Sequence, residues 1–220
     1  MMIAPQFLIM GGFAVLVGGV AVAVRVRERR RRAAYEQFSL VRGFTFEPER
    51  PNGEQRFRDV FEAFNQGRRR TWGYTISGAK DQQTFVAFEY RWVTGSGKHS
   101  STHRVSGIVW ERDGTAFPKF VLGPEGWLSR IGALFGMQDI DFVDSPDFSR
   151  AYRLTGPDEM SIRELFTPDL RRFFEATPNQ YVAGGGPFLF WFRNAQLPPA
   201  EQLDEWLEHG DQVRRRFLTA

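Results

Sequence analysis

From Phe7 to Val24 the chain carries no charged residue and only small or apolar side chains, and RVRERRRR at Arg25–Arg32 follows at once. A helix of about 18 residues spans roughly 27 Å, close to a hydrocarbon thickness of about 30 Å, so the run predicts a membrane anchor. A cleaved secretory signal would begin with basic residues and end on a small-x-small exit. Ala21-Val22-Ala23 offers the exit, but no Lys or Arg precedes the run and six Arg follow it. That charge order predicts an uncleaved transmembrane anchor over residues 1–24, a basic juxtamembrane helix over 25–42 and a single α+β domain over 43–220. Basic residues beside a span stay on the cytoplasmic side, so the expected placement is single-pass in the cell (inner) membrane with the C-terminal domain cytoplasmic.

Beyond the anchor the pattern alternates between helical and extended periods. Ala33, Ala34, Tyr35, Phe38 and Val41 give one apolar face to a helix that Gly43 can stop. FTFEPERPNGE breaks that period and predicts a loop or short strand, after which Phe57, Val60, Phe61 and Phe64 predict a short amphipathic helix closed by Gly67. In TFVAFEYRWV the residues Val86, Phe88, Tyr90 and Trp92 point one way and Phe85, Ala87, Glu89 and Arg91 the other, which is a strand. After the polar tip TGSGKHSST, HRVSGIVWER and TAFPKFVL read as two more strands joined at Asp113-Gly114, completing a three-stranded antiparallel meander. Pro118 has no N–H to give a ladder, so the third strand is an edge or carries a bulge.

GPEGWLSRIGALFG predicts a short helix or loop, and DIDFVD and FSRAYRL predict strands separated by Ser145-Pro146-Asp147. Ser161 and Glu164 have capping-box spacing, and Thr167-Pro168-Asp169 starts a helix through LRRFFEAT. YVAGGGPFLFWFRN reads as a hairpin. In the last stretch Leu203, Trp206, Leu207, Val213 and Phe217 line one helical face, with Gly210 a candidate kink. Strands, then paired helices, a hairpin and a terminal helix make the fold class α+β, with a mainly antiparallel sheet and packed helices.

Charge changes the picture mainly at the collar. The formal net charge is +3, and residues 25–32 alone supply +5, so the rest of the chain sums to −2. Arg25, Arg27, Arg29, Arg30, Arg31 and Arg32 therefore point to the lipid bilayer and its anionic headgroups, each worth about 1 kcal/mol near such a surface, and not to nucleic acid. There is no Cys, which excludes disulfides, zinc-thiolate sites and thiol catalysis. Only Lys80, Lys98 and Lys119 are lysines among 29 basic residues, a skew of GC-rich coding that predicts a bacterial chain.

Motifs for catalysis fail on spacing. Gly95-Ser96-Gly97-Lys98 lacks the Gly four residues before Gly-Lys and the Ser or Thr after it, where Trp92 and His99 stand, so it is a hairpin tip and not a phosphate loop. Asp139, Asp141, Asp144 and Asp147 are the densest acidic cluster and the one candidate for a divalent cation. Val143 and Asp144 occupy positions where a calcium loop wants an oxygen ligand and Gly, and Ile140 and Phe142 alternate with the acids as on a half-exposed strand. His99, His103 and His209 sit in no metal-binding or nucleophile motif, so no cofactor and no catalytic residue is expected.

FPKFVLGPE at Phe117–Glu125, DIDF at Asp139–Phe142 and FSRAYRLTGPDE at Phe148–Glu159 resemble segments of uncharacterised bacterial single-pass membrane-anchored proteins, over roughly Phe57 to Phe217. The resemblance implies a tethered α+β domain and carries no catalytic residues with it. The expected function is a non-enzymatic module that binds a protein or lipid partner at the membrane. The alternative is a membrane-anchored hydrolase or transferase using the carboxylate cluster.

Overall fold

The computed structural model describes residues 5–50, 53, 55–80, 83–112, 114, 116–124 and 139–218, without the side chains of residues 5–18, 62 and 63. A single helix, α1, runs from Pro5 to Arg42, 38 residues or about 57 Å. It ends where Gly43 turns to φ +69, with Gly43 N–H donating to Leu40 O at 3.3 Å and Phe44 N–H to Ser39 O at 2.8 Å. Tyr35, Phe38 and Ser39 are buried on its inner face, whereas Val41 is exposed, a correction to the face read from sequence. Among the described residues no helix is long and apolar enough to cross a membrane. Of the uncharged run only Gly19–Val24 has described side chains, all exposed, and the remainder of the anchor lies outside them.

The strands are β1 (Thr45–Glu47), β2 (Arg68–Lys80), β3 (Gln83–Thr94), β4 (Ser101–Glu111), β5 (Phe117–Pro124), β6 (Tyr152–Thr155), β7 (Tyr181–Gly186) and β8 (Phe188–Arg193). They form one antiparallel sheet in the order β1-β2-β3-β4-β8-β7-β5-β6. The expected β3–β4–β5 meander is therefore corrected: β4 pairs with β8, and the β7–β8 hairpin stands between β4 and β5. The cause is in β8 itself. Phe188, Phe190 and Phe192 enter one core and Leu189 and Trp191 the other, so this strand is dry on both faces and takes a central place. Pro118 does sit at a register break, between Phe117 and Phe120, but in an interior strand.

Helices cover one face of the sheet: α1, the trio α2 (Pro146–Ala151), α3 (Glu159–Leu165) and α4 (Pro168–Ala176), and the terminal α5 (Leu203–Leu218). Thr167 caps α4 as expected, accepting from Leu170 N–H at 3.4 Å. The cap of α3 is Asp158 and not Ser161, whose N–H donates to the Asp158 carboxylate at 3.1 Å. FSRA, expected in a strand, is instead most of α2, since Pro146 at the first turn favours helix and only Tyr152 onward is extended. The segment 123–136, expected as a short helix or loop, lies outside the described residues beyond Pro124. Gly210 does not kink α5; a Cβ there would stand 2.6 Å from Ile108 Cδ1 and 2.9 Å from Trp191 Cε3, so the glycine lets helix and sheet approach.

The other face is covered by the segment 55–65. Phe57, Phe61 and Phe64 are buried as their spacing predicts, but on two 3-10 turns, Gln55–Phe57 and Glu62–Asn65, and the link between them that holds Phe61, instead of an α-helix. All three rings insert into an aromatic layer. Phe61 stacks on Phe192 at 4.4 Å, Phe57 meets Phe190 edge-on at 5.3 Å, and Trp72 stacks on Phe88 at 4.2 Å.

Candidate functional site

The helix-covered face of the sheet changes character along β3 and β4. Phe85 and Ala87 on β3 and Ile108 and Trp110 on β4 belong to the core, while Glu89 and Arg91 continue that face of β3 and Arg104 and Ser106 that of β4. Along the chain from Arg31 to Phe44 the partner on β3 moves from Glu89 back to Phe85, so α1 runs antiparallel to β3. The arginine-rich part of α1 thus passes over the polar half of the sheet.

Two stripes of the helix do different work. Arg31, Tyr35, Phe38 and Arg42 fasten it to the domain. Arg31 Nη2 donates to Glu89 Oε2 at 2.5 Å, and the guanidinium lies 5.3 Å from the Tyr35 ring centre and 5.0 Å from that of Tyr74. Tyr35 donates its hydroxyl to the carbonyls of Leu197 and Pro198, at 3.1 and 2.9 Å. Arg42 pairs with Asp204 on α5. Burial works against the Arg31 charge, but the bond to Glu89 and its charge, with Tyr35, outweigh it and hold Arg31 above its ordinary value.

Arg25, Glu28, Arg29 and Arg32, at helical spacings of three, four and seven, face a cleft of about 770 Å³ between α1 and strands β2–β4. Arg91 and Arg104 form its floor, directly opposite one another across the β3–β4 ladder. Like charges so placed repel. The acids present are already engaged: Glu89 accepts from Arg31 and from Leu197 N–H at 3.2 Å, and Glu28 accepts from the Tyr74 hydroxyl. Burial, then the Glu28 bond and charge, pushes the Tyr74 hydroxyl above its ordinary range, so it stays a donor at neutral pH. Arg104 Nε is buried without a hydrogen bond, 3.8 Å from Glu89 Oε1. Arg25, Arg29, Arg32 and Arg91 make no hydrogen bond or ion pair among the described residues.

Of the six collar arginines, Arg25, Arg29, Arg31 and Arg32 line the cleft; Arg27 and Arg30 do not, and both are exposed. The sheet residues Arg91, Arg104, Glu89 and Tyr74 were not read from sequence as part of a site. A signal existed for two of them. With Thr94 opposite Ser101 around the tip, Arg91 falls opposite Arg104 by counting back three residues on each strand.

The acidic cluster does not converge. Asp139 Oδ1 accepts from Leu154 N–H at 3.1 Å, Asp144 forms a two-point pair with Arg171 at 3.0 and 2.7 Å, and Asp147 bonds Arg150 at 2.9 Å. Asp141 is exposed and offers its backbone oxygen to Arg163 at 2.9 Å. The Arg171 bonds hold the Asp144 carboxyl below its ordinary value. Among the described residues no three His, Asp or Glu side chains are placed to hold a metal ion. Ile140 and Phe142 between them are 3% and 5% exposed. Asp139→Asn with Asp141→Asn is accordingly expected to move stability by less than about 1 kcal/mol, since the asparagine keeps an acceptor for Leu154, whereas Phe142→Ala should cost about 3–5 kcal/mol. Thermal melts with chelator and with calcium or magnesium should superimpose; a cation-induced rise lost in the double variant would contradict this placement.

The histidines lie apart. His103 stacks on Trp92 at 5.0 Å with Nε2 2.7 Å from Thr94 Oγ1, and His99 ends the short turn Gly97–His99 at the hairpin tip, where sequence put it. His209 on α5 lies 3.3 Å from Gln180 Oε1 and 3.1 Å from Arg193 Nη2; burial, then that guanidinium, pushes its imidazole below the ordinary value.

No family model matches the chain, and no curated protein matches it. Among solved structures it is similar to the mycobacterial trehalose monomycolate transport factor A, TtfA, with a TM-score of 0.55 and 12% identity over 86% of this chain and 90% of that one. At that identity the likeness is one of fold: an α+β domain built on an antiparallel sheet with packed helices.

Proposed function

We propose that this chain is a single-pass, membrane-tethered, non-enzymatic domain that works at the cytoplasmic face of the inner membrane and engages lipid, or a protein partner of a lipid-handling assembly. The observation that carries the reading is α1. It continues without a break from the uncharged run through the arginine collar into the domain core, so the tether is a rigid extension of the domain and not a loose linker. Val20, Val22 and Val24 are 56–61% exposed, touching little else of the chain, as residues entering hydrocarbon would be. Arg25 to Arg32 then fall within about 12 Å of the end of the uncharged run, at the depth of lipid headgroups.

The basic end of the domain supports the same orientation. Arg68, Arg69 and Arg70 at the start of β2 and Lys98 at the hairpin tip are exposed. Anionic headgroups would attract them together with the collar. The structural likeness to a factor named for trehalose monomycolate transport favours a lipid-related role over catalysis.

Reporter fusions at Ala220 test the placement. A reporter that works only in the cytoplasm should be active there and one that needs export should be silent; the opposite result would remove the tether orientation and the choice of partners with it.

A further inference from the structure

We infer that the cleft between α1 and strands β2–β4 is a binding site for the phosphate of an anionic lipid headgroup, with Arg91 and Arg104 on the sheet as its floor and Arg25, Arg29 and Arg32 on the helix as its wall. The inference rests on the proposed tether for the source of the ligand, since α1 places the cleft mouth beside the headgroup layer. The chemistry stands on the side chains alone.

Three observations converge. The first is the directly opposed Arg91–Arg104 pair, an arrangement that costs stability unless an anion lies between or above the two guanidinia. The second is Arg104 Nε, removed from solvent yet without an acceptor. A donor in that state is short of one oxygen. The third is the charge count of the lining, six Arg against Glu28, Glu49 and Glu89. Glu28 is occupied by Tyr74, and Glu89 by Arg31 and Leu197 N–H, with its other oxygen only 3.8 Å from Arg104 Nε, so one shared carboxylate faces three guanidinia and the floor is not fully neutralised.

Arginine forks suit two-point contact with phosphate oxygens better than they suit a neutral sugar or an acyl chain. At about 770 Å³ the cleft exceeds what a bare phosphate fills and lies within the usual range of small-molecule sites, leaving room for the alcohol that the phosphate carries. Tyr74, held protonated beside Glu28, lines the same cleft and supplies an aromatic edge next to that alcohol.

The test uses the full chain in nonionic detergent with three probes: dihexanoyl phosphatidylglycerol, dihexanoyl phosphatidylcholine and inorganic phosphate, each titrated by calorimetry. The anionic lipid should bind, the zwitterionic lipid should bind at least about tenfold more weakly, and phosphate alone should also fall short by about tenfold. Arg91→Gln with Arg104→Gln should weaken the anionic lipid by about tenfold or more, while Arg27→Gln with Arg30→Gln, which removes the same charge from the collar outside the cleft, should change it by less than about threefold. The Arg91, Arg104 variant should melt no lower than the parent without lipid, because the repulsion is relieved. Arg91→Lys, which keeps charge but not the fork, should fall between. Equal loss in both double variants would reduce the effect to diffuse charge and overturn the site. Equal binding of both lipids would do the same. Phosphate binding as tightly as the anionic lipid would make it a site for free phosphate. These outcomes are independent of topology: an exported C-terminus would remove the tether reading and leave the detergent result standing, and the converse also holds.

Discussion

Asp211→Ala is expected to cost the folded chain about 3–5 kcal/mol, far more than loss of a surface acid, because it strands a buried charge. On α5 the Asp211 and Arg214 side chains are 5% and 6% exposed, with Arg214 Nε donating to Asp211 Oδ1 at 2.6 Å. The second carboxylate oxygen meets Arg215 at 2.7 Å, from a side chain that is 48% exposed. Removing the carboxylate leaves Arg215 free to turn to water but leaves the buried Arg214 without the acceptor of its Nε–H. Replacing both partners should behave differently. Asp211→Leu with Arg214→Met removes the two desolvation penalties along with the attraction and should recover most of the loss, to within about 1–2 kcal/mol of the parent. Urea midpoints of the three chains in detergent measure this. A single variant that loses less than about 1 kcal/mol would mean that water reaches Arg214.

Legibility of this fold in its sequence followed whether one period ran unbroken. The β3 alternation, the β7–β8 hairpin, the α4 cap at Thr167 and the apolar face of α5 are local and regular, and the structure has each of them. Strand β2 was missed for a physical reason. It opens on Arg68-Arg69-Arg70, and a register shift between Trp72 and Thr75 sends Trp72 to the aromatic layer while Tyr74 and Ile76 enter the helix-covered core. A bulge of this kind breaks the period of two that would have marked the strand. The sheet order was illegible because it depends on which strand is dry on both faces, and that is a comparison between distant segments. The helix-side half of the cleft could be read, as a run of arginines at residues 25–32. Its floor was legible only through the hairpin register, because Arg91 among Glu89 and Val93 looks like an ordinary wet face until the partner strand is aligned and brings Arg104 opposite.

A single contact between α5 and the sheet should show strong coupling, and it joins Gly210 to Trp191. Trp191 is 1% exposed in β8, its indole N–H donates to Gln180 Oε1 at 2.9 Å, and its ring packs 5.2 Å from Trp206 and 5.3 Å from His209. Trp191→Ala should cost about 3–5 kcal/mol through the cavity and the lost packing, with Gln180, itself 2% exposed, losing its donor. Gly210→Ala sets two effects against each other. Alanine favours the helix by about 1 kcal/mol, but its Cβ would stand 2.9 Å from Trp191 Cε3, an atom of a rigid ring, and 2.6 Å from Ile108 Cδ1, the movable end of a side chain. The ring decides the sign, so the net change should be destabilising by about 1–2 kcal/mol. In the Trp191→Ala background the nearer ring is gone, so Ile108 can rotate into the space and the Trp110 ring, whose Cη2 would stand 3.2 Å from the new Cβ, has room to give by the few tenths of an ångström needed. There the same Gly210→Ala change should become neutral or stabilising by up to about 1 kcal/mol, a coupling of about 1–3 kcal/mol between the two positions. Additive losses in the double variant would mean that α5 yields to the new methyl group by moving as a body, and that the glycine is not what sets the helix-to-sheet distance.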